Sequence, residues 1–428
     1  MSMALIWVIG FVALACLGTP IAVSMGLAAV LAIGISGAVP FGIIPIMMYN
    51  SMDSFLLLAV PFFALTGFLM DSGGIARRIF SFSQALVGGF RGGLGNVVIN
   101  AAMIFGGISG SSVADAAALA PISVNSLEKH GYPRSYAAGL IAAAASLDVL
   151  IPPSIIAVVY AVTANVPVSA ALVAGAVPGI LGGIFLMTTN YLIVRRAGWG
   201  DRQPFEFRKL VHEGKTSFFA VFAPAFIIGG FALGYFTPTE ASVIAVIYSA
   251  VVAIIIYGDT KVSVLPALLL KSARISASTL FLIACASLSS YILTVEQVPA
   301  MIAEFLVDVS GGNKYLLLFL VNILLLIVGI FMEGLAAVLI LTPILLPAIK
   351  SVGVDPIHFG VIMIANLAVA FIHPPVGVVL YVVSSVTKVP LWDVAMACLP
   401  FLAALIFNLL LITYVPWLSL GLVHALGL

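Results

Sequence analysis

Apolar residues run through this chain in long uninterrupted blocks, without the strict alternation of half-buried strands. The blocks predict helices over 4–18, 20–36, 55–72, 136–161, 168–195, 216–235, 239–258, 275–294, 357–385 and 392–422. Two stretches resist this reading. Between Arg91 and Glu128 the only charge is Asp115, and the middle reads Gly106-Gly107-Ile108-Ser109-Gly110-Ser111-Ser112. Each flanking arm covers roughly 20 Å, too short for a hydrocarbon core of about 30 Å. Two short arms meeting at a Gly/Ser tip predict a re-entrant hairpin, over about 93–127. The second stretch, about 315–349, is interrupted at Phe331-Met332-Glu333-Gly334.

Of the 428 residues 63% are hydrophobic and 8% charged, against about 25% charged in soluble domains, so a soluble fold is excluded. The net charge of +1 leaves no basic footprint for nucleic acid. Cys16, Cys285 and Cys398 stand alone in apolar stretches and suggest neither disulfides nor a metal site. The apolar N-terminus lacks a basic leader segment and reads as membrane structure and not as a signal peptide. The expected fold is therefore an all-α polytopic membrane protein in a lipid bilayer.

Positive charge sets the orientation. Arg195, Arg196, Arg202, Arg208, Lys209 and Lys215 crowd one polar connection, expected to be cytoplasmic. Counting crossings then places Arg77, Arg78, Arg91, Lys129, Arg134, Lys261, Lys271 and Arg274 inside, and Glu296, Glu304 and Asp308 outside. The first hairpin opens inward and the second outward, with Lys314 and Lys350 outside against the charge rule. Ile75–Val87, with Arg77 and Arg78 on one side, reads as an interfacial amphipathic arm. A shift of 222 to 224 residues pairs Asn100 with Asn322, Pro121 with Pro343, Pro133 with Pro356, Pro152-Pro153 with Pro374-Pro375, Pro167 with Pro390, and Pro178 with Pro400. Roughly one proline match is expected by chance. Two copies in opposite topology form an inverted repeat, the pattern of alternating-access transporters. The expected organisation is N-terminal scaffold helices over 1–54, repeat 1 over 55–195, a cytoplasmic loop and central scaffold over 196–274, and repeat 2 with a C-terminal helix over 275–428.

Ile151-Pro152-Pro153-Ser154 and His373-Pro374-Pro375-Val376-Gly377 each interrupt an apolar segment, within 136–161 and 357–385. Two prolines in succession break a helix, and half-helix ends at the midplane present amides to anions and carbonyls to cations. A packing kink is the alternative, which recurrence in both repeats disfavours. The tip from Gly106 to Ser112 offers hydroxyls and close backbone approach through glycine, suited to Na⁺ or a carboxylate; alone, such a run is also a linker or a packing face. Asp115, Asp148, Glu240, Glu333 and His373 are ionisable at apparent membrane depth. Asp115 also fits a role orienting its hairpin arm, and Thr237-Pro238-Thr239-Glu240 fits a capping box. A His373–Glu333 pair keeps proton coupling open. No nucleophile elbow, HExxH motif or Walker loop argues for an enzyme; an ion channel is the remaining rival.

Over nearly its full length the chain resembles the large membrane subunit of tripartite ATP-independent periplasmic (TRAP) transporters. The matching motifs are Gly107-Ile108-Ser109-Gly110-Ser111-Ser112 with Ala114-Asp115, Leu150-Ile151-Pro152-Pro153-Ser154, Phe236-Thr237-Pro238-Thr239-Glu240-Ala241 and Pro374-Pro375-Val376-Gly377. The resemblance implies Na⁺-driven import of an organic acid, of the C4-dicarboxylate or sialic acid type, across a bacterial inner membrane by an elevator mechanism. It also implies a periplasmic binding protein and a small membrane subunit of about four helices as partners. Three positions depart from the family pattern: Asp148 and His373 stand before the Pro pairs, and Glu333 stands where Asp is common. The Na⁺ ligands are expected among Ser109, Gly110, Ser111, Ser112 and Ile151 at one junction, and Glu333, Gly334, His373 and Gly377 at the other. The substrate, in a site without buried Lys or Arg, is expected against Ser111, Ser112, Asp148, Pro153, Ser154 and Pro375.

Overall fold

The computed structural model describes residues 2–89, 92–200, 206–374 and 377–428, so Arg91, Arg202, Pro375 and Val376 lie outside the described residues. Among the described residues the chain is helical, with no strand. Helices α1 (Met3–Cys16) and α2 (Ile21–Ser36) form an N-terminal pair, followed by α3 (Ile43–Met52), α4 (Ala59–Ser72) and α5 (Ile75–Val87). α6 (Gly93–Ser109) and α7 (Ser112–Lys129) make a hairpin. α8 (Arg134–Ser146) ends in a 3-10 turn over Leu147–Val149, and the chain resumes after the Pro pair as α9 (Ile155–Ala164). α10 (Val168–Ala174) and α11 (Ala176–Ala197) precede the amphipathic α12 (Phe207–Thr216), which buries no side chain. α13 (Phe218–Ala232), α14 (Pro238–Ala250) and the long α15 (Leu265–Val295) lead into α16 (Val298–Ser310). A second hairpin, α17 (Lys314–Phe331) and α18 (Gly334–Ser351), is followed by α19 (Pro356–Ala370), α20 (Val378–Thr387), α21 (Leu391–Tyr414) and α22 (Trp417–Ala425).

Six helical stretches among the described residues are long and apolar enough to cross a membrane. The hairpin arm Gly93–Ser109 and the half-helices Ile155–Ala164, Pro356–Ala370 and Val378–Thr387 fall short of that length, as interrupted elements must. Local chemistry sets many ends. Thr237 and Glu240 form the capping box at α14, and the Asp355 carboxylate accepts from the amides of Ile357 and His358 at α19. α8 and α19 are buried along nearly their whole length, whereas α14 and α16 turn Ile247, Met301, Phe305 and Val309 outward. The core therefore sits under the two hairpins, and the periphery supplies the apolar surface for lipid or another membrane chain.

Several elements differ from the sequence reading. α3 and α16 are helices over stretches where no particular helix was predicted, the helix expected over 392–422 is split into α21 and α22, and α15 starts ten residues before the expected 275, taking Lys271 and Arg274 into its body. The order of elements recurs along the chain. Adding 223 to the bounds of α5 gives those of α16, and adding 223 to those of α9 gives those of α20. Arg134, at the start of α8, bonds Glu128 at 2.6 Å and the Thr387 carbonyl at 2.8 Å, so the ends of α7 and α20 meet at one end of the bundle.

α9 and α20 also end alike, on Asn165 (φ 54) and Lys388 (φ 60), both left-handed and both followed by Val-Pro. Asparagine tolerates this conformation; lysine is strained by about 1 kcal/mol. Lys388 is exposed. Lys388→Asn is expected to raise the thermal unfolding midpoint, with a gain of roughly 1 kcal/mol, whereas Asn165→Lys should lower it.

Candidate functional site

At the first hairpin tip, Gly110 takes φ 61 and ends α6, and Ser111 caps α7 by accepting from the Ala114 amide. The Ser109 hydroxyl accepts from the Ser111 amide and donates to Asp115. Asp115 therefore does orient the tip, as one sequence reading held. The tip is seated on the first helix break. A Cβ on Gly110 would collide with the Pro153 carbonyl, one on Gly107 would stand 3.5 Å from the Pro152 carbonyl, and one on Gly67 of α4 would press on Ser109 at 3.1 Å. Only glycine supplies both the left-handed turn and this approach.

The break itself leaves Ser154 buried as the cap of α9, accepting from the Ala157 amide at 3.2 Å. Asp148, on the 3-10 turn before it, is fully buried beneath Gly106. Its carboxyl group faces that of Asp115, which is equally buried. Apart from the facing carboxyl group itself, no donor reaches either Asp148 oxygen or Asp115 Oδ2, and the buried Ser112 hydroxyl has no partner. Facing carboxylates without a basic partner require a proton or a cation between them, because burial strengthens their repulsion.

The second tip is built differently. Met332 is extended, and Glu333 caps α18 by accepting from the Ala336 amide at 3.3 Å. A Cβ on Gly334 would meet Phe371 at 2.9 Å and Ile156 at 3.2 Å, so this tip touches both breaks. At the second break the Gly377 amide donates to the His373 carbonyl and the Val379 amide to the Phe371 carbonyl. His373 Nδ1 is buried without a partner.

The tips face a cleft made of adjoining cavities that share Ile275 of α15. One, of about 270 Å³, is lined by Ser109, Ser111, Asp71 and Lys271. Another, of about 260 Å³, lies between Gly110, Ser111, Ser112, Glu333 and Phe371. A third, of about 330 Å³, joins Glu333 to Arg274, Ser278 and Thr279. Of the expected residues, the structure thus brings Ser109, Gly110, Ser111, Ser112 and Glu333 to one cleft. Asp148, Ile151, Pro153, Ser154, Gly334, His373 and Gly377 line none of these cavities and form the packed layer around it. Pro375 lies outside the described residues. Lys271 and Arg274, both exposed, border the cleft, because α15 carries them past the tips. The missed signal was the buried row of Ser272, Ser276 and Thr279 interleaved with and following them, which marks a packed helix face and not a loop end.

Fold and cleft together define an all-α polytopic membrane protein whose interrupted helices enclose a polar interior site. Its fold is similar to that of the YdaH transporter of Alcanivorax borkumensis, with a TM-score of 0.62 at 17% identity over 87% of this chain and 88% of that one. The chain belongs to the tripartite ATP-independent periplasmic transporter family, DctM component, whose model matches residues 8–418. It is similar to the C4-dicarboxylate TRAP transporter large permease protein DctM of Pseudomonas aeruginosa, 39% identical over 405 residues and 95% of both chains. The sialic acid TRAP transporter large permease protein SiaM of Vibrio cholerae is 38% identical over 373 residues, 87% of both chains.

Gly110→Ala is expected to abolish uptake by the assembled transporter, since the methyl group meets the Pro153 carbonyl and the φ costs a further ~1 kcal/mol. Gly37→Ala, with the same φ of 61 and nothing within 4 Å, isolates the backbone term and should leave uptake intact. Asp148→Asn, away from the cavity walls, is expected to change the cation dependence of uptake and leave the substrate concentration for half-maximal uptake unchanged.

Proposed function

We propose that this chain is the translocating subunit of a Na⁺-coupled importer of an organic acid in a bacterial inner membrane. A periplasmic binding protein delivers the acid, and a small membrane subunit completes the complex. Relatives named for C4-dicarboxylates and sialic acid support an organic-acid substrate. The observation that carries the reading is the oxygen cluster at the first tip: Asp115 Oδ2, Asp148 and Ser112 are buried acceptors or hydroxyls with no protein donor beyond the two facing carboxyl groups themselves. The carbonyls of Pro152 and Pro153 close in from the break. A cation there neutralises charge beside the cleft, so an anion binds more readily when the cation is present. In the proposed elevator, α6–α9 and α17–α20 move as an inverted-repeat pair against a scaffold that includes α14 and α15.

Proton coupling is the second reading, and the facing Asp115 and Asp148 carboxyl groups favour it, since one proton satisfies the pair. Uptake into proteoliposomes under an imposed Na⁺ gradient, and separately under a pH gradient, decides between them. The expected result is uptake with Na⁺ alone. Ser111→Ala and Ser112→Ala should each raise the Na⁺ concentration for half-maximal uptake by roughly tenfold, the effect of about 1.4 kcal/mol. Uptake driven by the pH gradient alone would replace Na⁺ with the proton route.

A further inference from the structure

α15 presents Lys271, Arg274, Ser278 and Leu282 to the cleft at helical spacing. Arg274 lies about 14 Å along the helix from Leu265, inside the bundle's span. Among the described residues no carboxylate pairs with its guanidinium. Lys271, by contrast, lies over the Phe68 ring and shares a cavity with Asp71. A cation at membrane depth is costly unless it faces water or an anion, and such residues mark the path of a charged solute. Across about 330 Å³ from Arg274 stands Glu333, exposed to the cavity and engaged through one oxygen at the Ala336 amide. The two are too far apart to pair and near enough for one small molecule to touch both.

We infer that Arg274 is the anion anchor of the transported acid and that Glu333 receives a hydroxyl from the same molecule. The inference rests on the transport reading above and narrows its substrate class to hydroxylated monocarboxylates. The guanidinium fork takes a carboxylate by two parallel hydrogen bonds. Glu333 accepts from a donor at the other end, and a second carboxylate placed there meets like charge. A charge kept only to orient the chain in the membrane would need neither the cleft nor the facing acid.

The test uses the full chain with its small subunit in nanodiscs containing Na⁺, with Cys16→Ser removing the exposed native thiol and Ser278→Cys as reporter one turn from Arg274. Maleimide labelling of the reporter is timed with gluconate, succinate or propionate present. Gluconate is expected to slow labelling most. Arg274→Gln should raise the protecting gluconate concentration by about tenfold or more, with Arg274→Lys intermediate and the Na⁺ requirement unchanged. Arg274→Lys carries the test if the glutamine variant does not accumulate. Wild-type gluconate dependence in these variants overturns Arg274 as the anchor. Equal protection by gluconate and propionate overturns the role of Glu333. If no acid protects the parent and none is taken up by the assembled transporter, the transport reading itself falls, a result distinct from either.

Discussion

In hydrocarbon a backbone amide or carbonyl that loses its helical partner has no water to turn to, and this chain interrupts its helices four times beside its core. Each interruption is closed locally. The Gly110 amide donates to Gly106 and that of Met332 to Val328, while the side chains of Ser111, Ser154 and Glu333 cap the helices that follow. The Pro152-Pro153 break uses another device. Proline has no amide hydrogen, so it removes the donors a break would orphan and leaves the carbonyls. The result is a break rich in acceptors, with the Pro152 and Pro153 carbonyls turned toward the first tip. The chemistry of the site thus begins with the means by which the helix is allowed to stop.

Apolar burial does little to hold helices together in lipid, so packing and buried polar contacts must carry the bundle. Small residues allow the close approach: a Cβ on Gly139 would stand 2.9 Å from the Ala397 backbone, and one on Gly182 2.7 Å from Leu147. Amide side chains tie the layers. Asn190 donates to Asn96 and to the Gly92 carbonyl and accepts from Tyr136, and Asn366 donates to Asn322, which donates to Thr413. At about 0.6 kcal/mol for a typical pair, no one bond is decisive. Their position matters more, because they link hairpin arms to α11, α19 and α21.

The hairpins and breaks were legible because they depend on residue types that few other contexts require: glycine and serine between uncharged arms, and paired prolines in apolar runs. The helices α3 and α16 were not. α16 carries Glu304 and Asp308 and reads only as an acidic stretch outside, although its bounds follow those of α5 by the same 223 residues that relate α9 to α20. Lys271 and Arg274 were read through the charge-orientation rule, which treats basic residues as span ends. α15 runs 31 residues and has room to carry both within its length. Asp148 was placed against substrate because it adjoins the Pro pair. Adjacency in sequence says nothing about which side of a 3-10 turn a carboxylate takes, and here it points under Gly106.

The charges around the cleft separate by element. Asp115, Asp148 and Glu333 lie on the interrupted helices and their tips, whereas Lys271 and Arg274 lie on the continuous α15, with Asp71 of α4 beside Lys271. The cationic donors thus stand on an unbroken helix, and most of the acidic acceptors stand where the backbone is broken. In the transport reading proposed above, a small acid entering the cleft would meet opposite preferences on its two sides, its anionic end favoured toward Lys271 and Arg274 and repelled from the tips. Filling the oxygen cluster behind the first tip with a cation reduces that repulsion through a few ångströms of dry protein, where electrostatic coupling is least screened. Coupling between ion and anion then needs no contact between them, only that the tip and α15 enclose the same volume.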